Sequence, residues 1–136
     1  MQPAGRSRNI NPDELPPARG YSHATVAGDT VWIGGQIGSD ATGKVVEPGD
    51  IVAQYGRAIH NVAIALRAAG FTPDDTVKLT YYVTDIKAYR DSRAGLGAAY
   101  REFFRSDYPA STLVEVRSLV DPDALIEIDA VAVRQR

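Results

Sequence analysis

Apolar and polar residues alternate with a period of two in two stretches near the C-terminus, residues 108–119 and 124–133. Such alternation predicts β-strands, because successive side chains of a strand point to opposite faces of a sheet. In the second stretch Ile126 and Ile128 begin an apolar face, and Glu127 and Asp129 lie on the other face beside Val131. This second face is either a solvated sheet surface or the wall of a site.

The remaining pattern predicts two strands, a helix, a strand and a helix before these two stretches. Strands at residues 21–26 and 30–36 flank an Ala-Gly-Asp turn signal, and a strand at 76–84 alternates again. Helical spacing extends over residues 50–69, with Asp50 as N-cap and Gly70 as C-terminal stop, and over residues 85–105, with Asp85 as a candidate cap. Gly95 and Gly97 weaken the second helix in its middle, by about 1 kcal/mol each.

Residues 1–19 contain four prolines and no periodic apolar pattern, so we expect an extended arm without a secondary-structure element. Residues 20–136 then form a single α+β domain of order ββαβαββ, in which two helices cover one face of a mixed sheet. The uncovered face carries Leu113, Val131 and Val133 among charged residues. Copies of the same chain would bury such a mixed patch most simply, in a closed ring of subunits.

Composition excludes several classes of function. A net charge of -2 gives no electrostatic footprint for nucleic acid or an anionic membrane. Cysteine is absent and the two histidines lie far apart, which argues against a thiol nucleophile or a dedicated metal site. The polar, proline-rich N-terminal stretch lacks the apolar core of a signal peptide, so we expect a cytoplasmic protein.

Several motifs, in this order and spacing, resemble the RidA (YjgF) family over residues 20–133. They are Gly-Tyr-Ser at 20–22, Gly-Gly-Gln at 34–36, Gln54 with His-Asn-Val at 60–62, Pro-Ala-Ser-Thr-Leu-Val-Glu-Val at 109–116 and Ile-Glu-Ile-Asp-Ala-Val-Ala at 126–132. The resemblance implies a chorismate-mutase-like fold, a homotrimer and ligand clefts between subunits. It also implies hydrolysis of reactive imines or enamines, without a cofactor, to carbonyl compounds and ammonia.

The chain departs from the deaminating branch of that family at the residue after Pro-Ala. In that branch an arginine at this position binds the substrate carboxylate, whereas this chain has Ser111. A bidentate arginine–carboxylate pair is worth roughly 1.5–3 kcal/mol, which a serine does not match. Arg117 lies six residues along the strand, roughly 20 Å away, and is no replacement. Gly34 stands where serine is usual, and residues 87–99 exceed the usual spacing, so this chain resembles relatives that lack the arginine.

The resemblance assigns roles to five residues, each with a structural alternative. Glu127 would hold the attacking water and move protons, although alternation alone makes it a surface carboxylate. Tyr21 would orient the ligand or simply pack at a strand start, and Gly35 would offer a backbone N–H or only form a bulge. Leu113 would supply a backbone N–H and an apolar wall. Ser111 would donate one neutral hydrogen bond, or is only a strand residue.

The expected function is therefore hydrolysis of an imine or enamine with a carboxylate or carbonyl group in an intersubunit cleft. The alternative is a non-catalytic trimer that binds a small ligand and has lost turnover. Arg90 or Arg93 of a neighbouring subunit, if it reached the cleft, would favour the enzyme. An RNA-cleaving activity fits poorly, because no basic stripe with interleaved aromatic residues is present.

Overall fold

The fold is seen in a computed structural model, which describes residues 6–135. Residues 1–5, which begin the predicted arm, and Arg136 lie outside the described part. A six-stranded sheet has the order β1-β2-β3-β6-β4-β5. Its strands are β1 (Arg8–Ile10), β2 (Ala24–Ala27), β3 (Thr30–Ile37), β4 (Thr76–Val83), β5 (Ala110–Glu115) and β6 (Ile126–Val133). Only the pairing of β4 with β5 is parallel, so the sheet is mixed as predicted.

Three helices accompany the sheet: α1 (Ile51–Ala68), α2 (Ile86–Asp91) and α3 (Arg93–Phe104). The Asp50 carboxylate accepts a hydrogen bond from the Ala53 backbone N–H at 3.0 Å, and Gly70 adopts a φ of 84° just beyond the helix. Both ends of α1 therefore follow the predicted capping residues. None of the helices in residues 6–135 combines the length and apolar character needed to cross a membrane.

The predicted second helix is wrong in one respect, because Ser92 divides it into α2 and α3. Gly95 and Gly97, which we expected to weaken it, lie within α3. A methyl group on Gly95 would lie 3.2 Å from both methyl groups of Val52, so this glycine allows α3 to approach α1 closely. The two-helix description of the fold is corrected to three helices.

The N-terminal stretch is also more ordered than predicted. Arg8–Ile10 pairs with β2 in an antiparallel register, and Leu15 is buried in the core. The expectation that residues 1–19 contain no element is therefore wrong for these three residues. They carry no apolar alternation of their own, and β2, about 15 residues further along, supplies their hydrogen bonds.

The core lies between the helices and one face of the sheet. Buried side chains on that face include Val31, Ile33, Leu79, Ile128 and Ala130, and Ile59, Val62 and Leu66 of α1 face them. No helix of the described chain covers the opposite face, where Trp32 is 49% exposed and Val114 is 41% exposed. The prediction of one covered and one uncovered face is confirmed for residues 6–135.

Candidate functional site

A bulge in β3 shapes one part of the candidate site. Ile33 pairs with Ala130 and Gln36 pairs with Ile128, so Gly34 and Gly35 lie opposite one residue of β6. This two-against-one arrangement is a β-bulge, which the glycine pair had indicated. Because of it Gln36 points to the buried side, where only 4% of it is exposed, and Ile37 pairs with Glu127.

The Glu127 carboxylate lies directly against Gly35. A methyl group on Gly35 would lie 2.6 Å from Glu127 Cδ and 2.8 Å from Oε2. Carbon atoms in contact prefer a separation of about 3.5–4.0 Å, so any side chain at position 35 would displace the carboxylate. Gly35 is therefore needed here for space, and its φ lies outside the left-handed region.

The electrostatic surroundings favour the protonated form of Glu127. Partial burial of the carboxyl group, and to a smaller extent the negative charge of Asp129, raise the pKa of Glu127 above its usual value. The Tyr82 hydroxyl donates to Asp129 Oδ2 at 3.0 Å. No side chain or backbone group among residues 6–135 donates a hydrogen bond to the Glu127 carboxylate. A half-buried carboxylate with free acceptor positions can bind a water molecule or a protonated substrate nitrogen.

Tyr21 and His23 lie beside the bulge. Together with Gly35, Gln36 and Ser39 they line a hollow of about 130 Å³. The hydroxyl-bearing ring of Tyr21 is 57% exposed and packs edge-on against His23, with 5.4 Å between the ring centroids. Tyr21 therefore stands at the open side of the hollow, where its hydroxyl is accessible to a ligand.

His23 also lines this hollow. It is buried, its Nε2 donates to the Pro16 carbonyl at 2.6 Å, and the Gln36 amide donates to its Nδ1 at 3.1 Å. Since a carbonyl oxygen only accepts, Nε2 is the donor of the first bond and Nδ1 the acceptor of the second. The Gln36 amide also donates to the Gly34 carbonyl at 3.2 Å. His23 thus supports the bulge that positions Gly35.

The five sequence-predicted residues divide into two groups. Tyr21, Gly35 and Glu127 come together at the junction of β3 and β6. Ser111 and Leu113 lie on β5, and β4 separates that strand from β6. The placement of Leu113 on the uncovered face is wrong: it pairs with the buried Tyr81 and packs towards the helices. Strand alternation identifies two faces but not which one the helices cover, and this explains the error.

A second cavity, of about 620 Å³, lies on the helix side between α2, α3 and Leu113. Arg90, Arg93 and Arg101 line it, and so do the tyrosines at positions 55, 89, 100 and 108. Ser111 is exposed and does not line it. From the sequence we identified Arg90 and Arg93 as candidate ligand-binding arginines but not Arg101. The only local feature that could have indicated Arg101 is its position four residues after Gly97, on the same face of the helix.

Neither region contains an evident metal site. Within residues 6–135 no group of three or more histidine and carboxylate side chains is arranged to hold a metal ion. The buried nitrogen atoms of His23 are already hydrogen-bonded.

Comparison with known proteins gives the family. The family described as Endoribonuclease L-PSP matches residues 12–134. The chain belongs to this family. It is 38% identical to a RutC family protein of Pyrococcus horikoshii over 116 residues, covering 85% of this chain and 87% of that protein. It is 31% identical over 128 residues to the human 2-iminobutanoate/2-iminopropanoate deaminase, covering 93% and 90% of the two chains.

The fold is that of solved members of the same family. The crystal structure of the YjgF gene product of E. coli superposes with a TM-score of 0.81 at 34% identity, covering 94% of this chain and 99% of that one. The resemblance of the sequence to the RidA (YjgF) family is thereby confirmed, and so is the α+β fold.

Proposed function

We propose that this protein hydrolyses a reactive imine or enamine to a carbonyl compound and ammonia, in a cleft between the subunits of a homotrimer. The observation that carries the proposal is the Glu127 carboxylate, which is half-buried, rests on Gly35 and receives no hydrogen bond from residues 6–135. The human relative that bears the name 2-iminobutanoate/2-iminopropanoate deaminase supports the same chemistry.

In the proposed reaction Glu127 holds a water molecule and takes one of its protons. The water oxygen forms a bond to the imine carbon while Glu127 passes the proton to the nitrogen. The hydroxyl proton of the resulting carbinolamine then moves through Glu127 to the nitrogen as the carbon–nitrogen bond breaks, which gives the carbonyl compound and ammonia. The raised pKa brings Glu127 closer to the working pH, where a carboxyl group both accepts and returns a proton efficiently. Tyr21 orients the substrate, and the backbone N–H groups of Gly35 and Leu113 bind developing negative charge.

A cleft between subunits accounts for the separation of the two groups of residues. Glu127 and Leu113 face opposite sides of the sheet and β4 lies between their strands, so one chain does not bring them to a common point. A neighbouring copy that presented its own β5 to Glu127 would do so. Burial of the exposed Trp32 and Val114 by other copies favours such an assembly.

The activity is tested by ammonia release from freshly generated 2-iminobutanoate and 2-iminopropanoate. We expect release by the wild type and a loss of about 10²–10⁴-fold in Glu127→Ala, the usual contribution of a general acid–base group. A wild type without activity on any imine, together with a gain in Ser111→Arg, would instead support a ligand-binding trimer that has lost turnover.

The assembly is tested independently of the chemistry. Light scattering coupled to size-exclusion chromatography should give the mass of three 14.7 kDa chains. Trp32 is the only tryptophan, so its emission should be blue-shifted in the assembly and should move towards longer wavelength on dilution. Trp32→Glu places a charge on the uncovered face and should give a folded monomer. A monomeric wild type would refute the shared cleft.

A further inference from the structure

The cavity between α2, α3 and β5 carries a concentration of positive charge. Arg90, Arg93 and Arg101 line it, and no aspartate or glutamate of residues 6–135 does. Its volume of about 620 Å³ lies in the range of roughly 300–1,000 Å³ that is typical of small-molecule sites. A hollow lined by charges of one sign attracts small ions of the opposite sign.

These three cations have no partner within residues 6–135. The ion pairs of that part of the chain join Lys87 to Asp91 and Arg134 to Asp29, and none of the three cavity arginines donates a side-chain hydrogen bond. Asp91, which follows Arg90 in the sequence, is held by Lys87 at 2.6 Å. All three arginines are exposed to solvent, which screens their mutual repulsion, and their charges remain available to a bound anion.

The local structure of α3 directs Arg101 into the cavity. A methyl group on Gly97 would lie 3.1 Å from Arg101 Nη1, so the guanidinium folds back against the helix at this glycine. Glycine inside a helix costs about 1 kcal/mol relative to alanine. Any side chain at position 97 would press on this guanidinium, and Gly97 leaves it the space that it occupies.

Tyrosine rings form much of the remaining wall. Tyr108 stacks on Tyr100 with 5.3 Å between the ring centroids, and the Tyr100 hydroxyl donates to the Asp107 carbonyl. Burial raises the pKa of Tyr89, and the positive charge of Arg93 acts in the opposite direction. Arg93 and Tyr89 line the same cavity, so both can contact one ligand. The site offers planar cationic forks and aromatic surface together.

The cavity lies beside the strand that carries position 111, where this chain has serine in place of arginine. Ser111 and Leu113 have side chains on the same side of β5, and Leu113 lines the cavity. We propose that Arg93, with Arg90 and Arg101, binds the anionic groups of the substrate in place of an arginine at position 111. With three guanidinium groups in a hollow of this size, the substrate class is an imine or enamine of an organic acid with at least two carboxylates.

This assignment rests on the proposed function for the identity of the substrate, but anion binding can be measured without turnover. Stable 2-oxo acids resemble the expected products, so 2-oxoglutarate and 2-oxobutanoate serve as dianionic and monoanionic probes in isothermal titration calorimetry. We expect the wild-type protein to bind 2-oxoglutarate more tightly than 2-oxobutanoate, with a dissociation constant that is lower by about tenfold or more. One lost charge-assisted hydrogen bond of about 1.5 kcal/mol corresponds to that factor.

The variants separate specific binding from general charge. Arg93→Gln and Arg101→Gln should each weaken 2-oxoglutarate binding by about tenfold or more. Arg93→Lys should retain only part of the wild-type affinity, because lysine keeps the positive charge without the planar guanidinium group. Arg117→Gln removes the same charge from an exposed residue outside the cavity and should bind as the wild type does. Circular dichroism and thermal unfolding confirm that each variant is folded.

The outcomes distinguish this inference from the proposed function. Glu127→Ala should lose ammonia release yet bind 2-oxoglutarate as the wild type does. A wild type that binds neither acid, or arginine variants with unchanged binding, would overturn the inference even if imines are hydrolysed. Arginine-dependent binding of 2-oxoglutarate by a wild type that releases no ammonia would support the cavity and reject the deaminase.

Discussion

Substitution of Gly35 by alanine tests the geometry on which the catalytic proposal depends. The new methyl group would lie 2.6 Å from Glu127 Cδ, against a preferred separation of about 3.5–4.0 Å, so the carboxylate must move by about 1 Å. A displacement of this size at a reacting group can cost about 10²-fold in rate. We therefore expect kcat/KM for ammonia release to fall by about two orders of magnitude.

The same substitution should leave the fold almost unchanged. Gly35 has no left-handed backbone, so alanine adopts its conformation, and the group that must move is the end of a flexible side chain. Turning that side chain off its rotamer costs about 0.5–1.5 kcal/mol. Reduced freedom of the unfolded chain returns about 0.4–1 kcal/mol. The melting temperature should thus change by only a few degrees.

A double-mutant cycle shows whether the loss acts through Glu127. In a Glu127→Ala background the carboxylate is absent, so Gly35→Ala should cause little further loss of kcat/KM. Gly34→Ala is the contrasting control: its methyl group would lie 3.1 Å from the Ser22 carbonyl oxygen, which is backbone, so stability should fall. Wild-type activity in Gly35→Ala, or an undiminished loss in the double variant, would refute the reasoning.

Three further predictions concern charge, hydrogen bonding and helix packing. Because the pKa of Glu127 is raised in the folded protein, its stabilising contribution is present at acidic pH and is lost as pH rises from 4.5 through the folded pKa. The Glu127→Gln variant should therefore have a larger free energy of unfolding than the wild type at pH 7, and calorimetry should show that this difference disappears towards pH 4.5. The exposed control Glu102→Gln should not show this difference. Gln54→Leu should lower the free energy of unfolding in urea by about 3 kcal/mol, because this fully buried amide forms hydrogen bonds with the backbone of residues 47, 123 and 125. A decrease of less than about 1 kcal/mol would contradict this. Gly56→Ala in α1 meets only Ala99 at 3.6 Å and should stabilise by about 0.5–1 kcal/mol, whereas Gly95→Ala, crowded by Val52, should gain less or lose stability.

Features encoded by neighbouring residues were predictable from the sequence. Asp50 and Gly70 bound α1 because each acts on backbone groups within one helical turn. The Gly-Asp turn between β2 and β3 has Gly28 at a φ of 59°, as a two-residue hairpin requires. The glycine pair at 34 and 35 likewise identified the bulge before the structure did.

Features that depend on distant partners were not predictable. The strand Arg8–Ile10 exists because β2 supplies its hydrogen bonds, and the face of Leu113 depends on where the helices dock. The arginine cavity arises from the approach of α2 and α3 to β5, so Arg101 acquires its neighbours only through tertiary packing. The family resemblance indicated the five site residues but not their separation into two groups across the sheet.

That separation yields a final prediction about how the site is divided between chains. At about 4.8 Å between neighbouring strands, the Glu127 and Leu113 backbones are about 10 Å apart, and their side chains face opposite sides of the sheet. If Glu127 of one chain works with Arg93 of its neighbour, Glu127→Ala and Arg93→Gln are each impaired alone. When the two variants are unfolded and refolded together, the chains form randomly mixed trimers. In about a quarter of their sites an intact Glu127 of one chain should then meet an intact Arg93 of its neighbour.

The refolded mixture should release ammonia at about that fraction of the wild-type rate, and mixing without unfolding, as the control, should not. A site contained within one chain would contain one defect in every copy, so no mixture would recover. Absence of recovery in mixed trimers of confirmed composition would therefore reject the shared site, whatever the activity of the wild type.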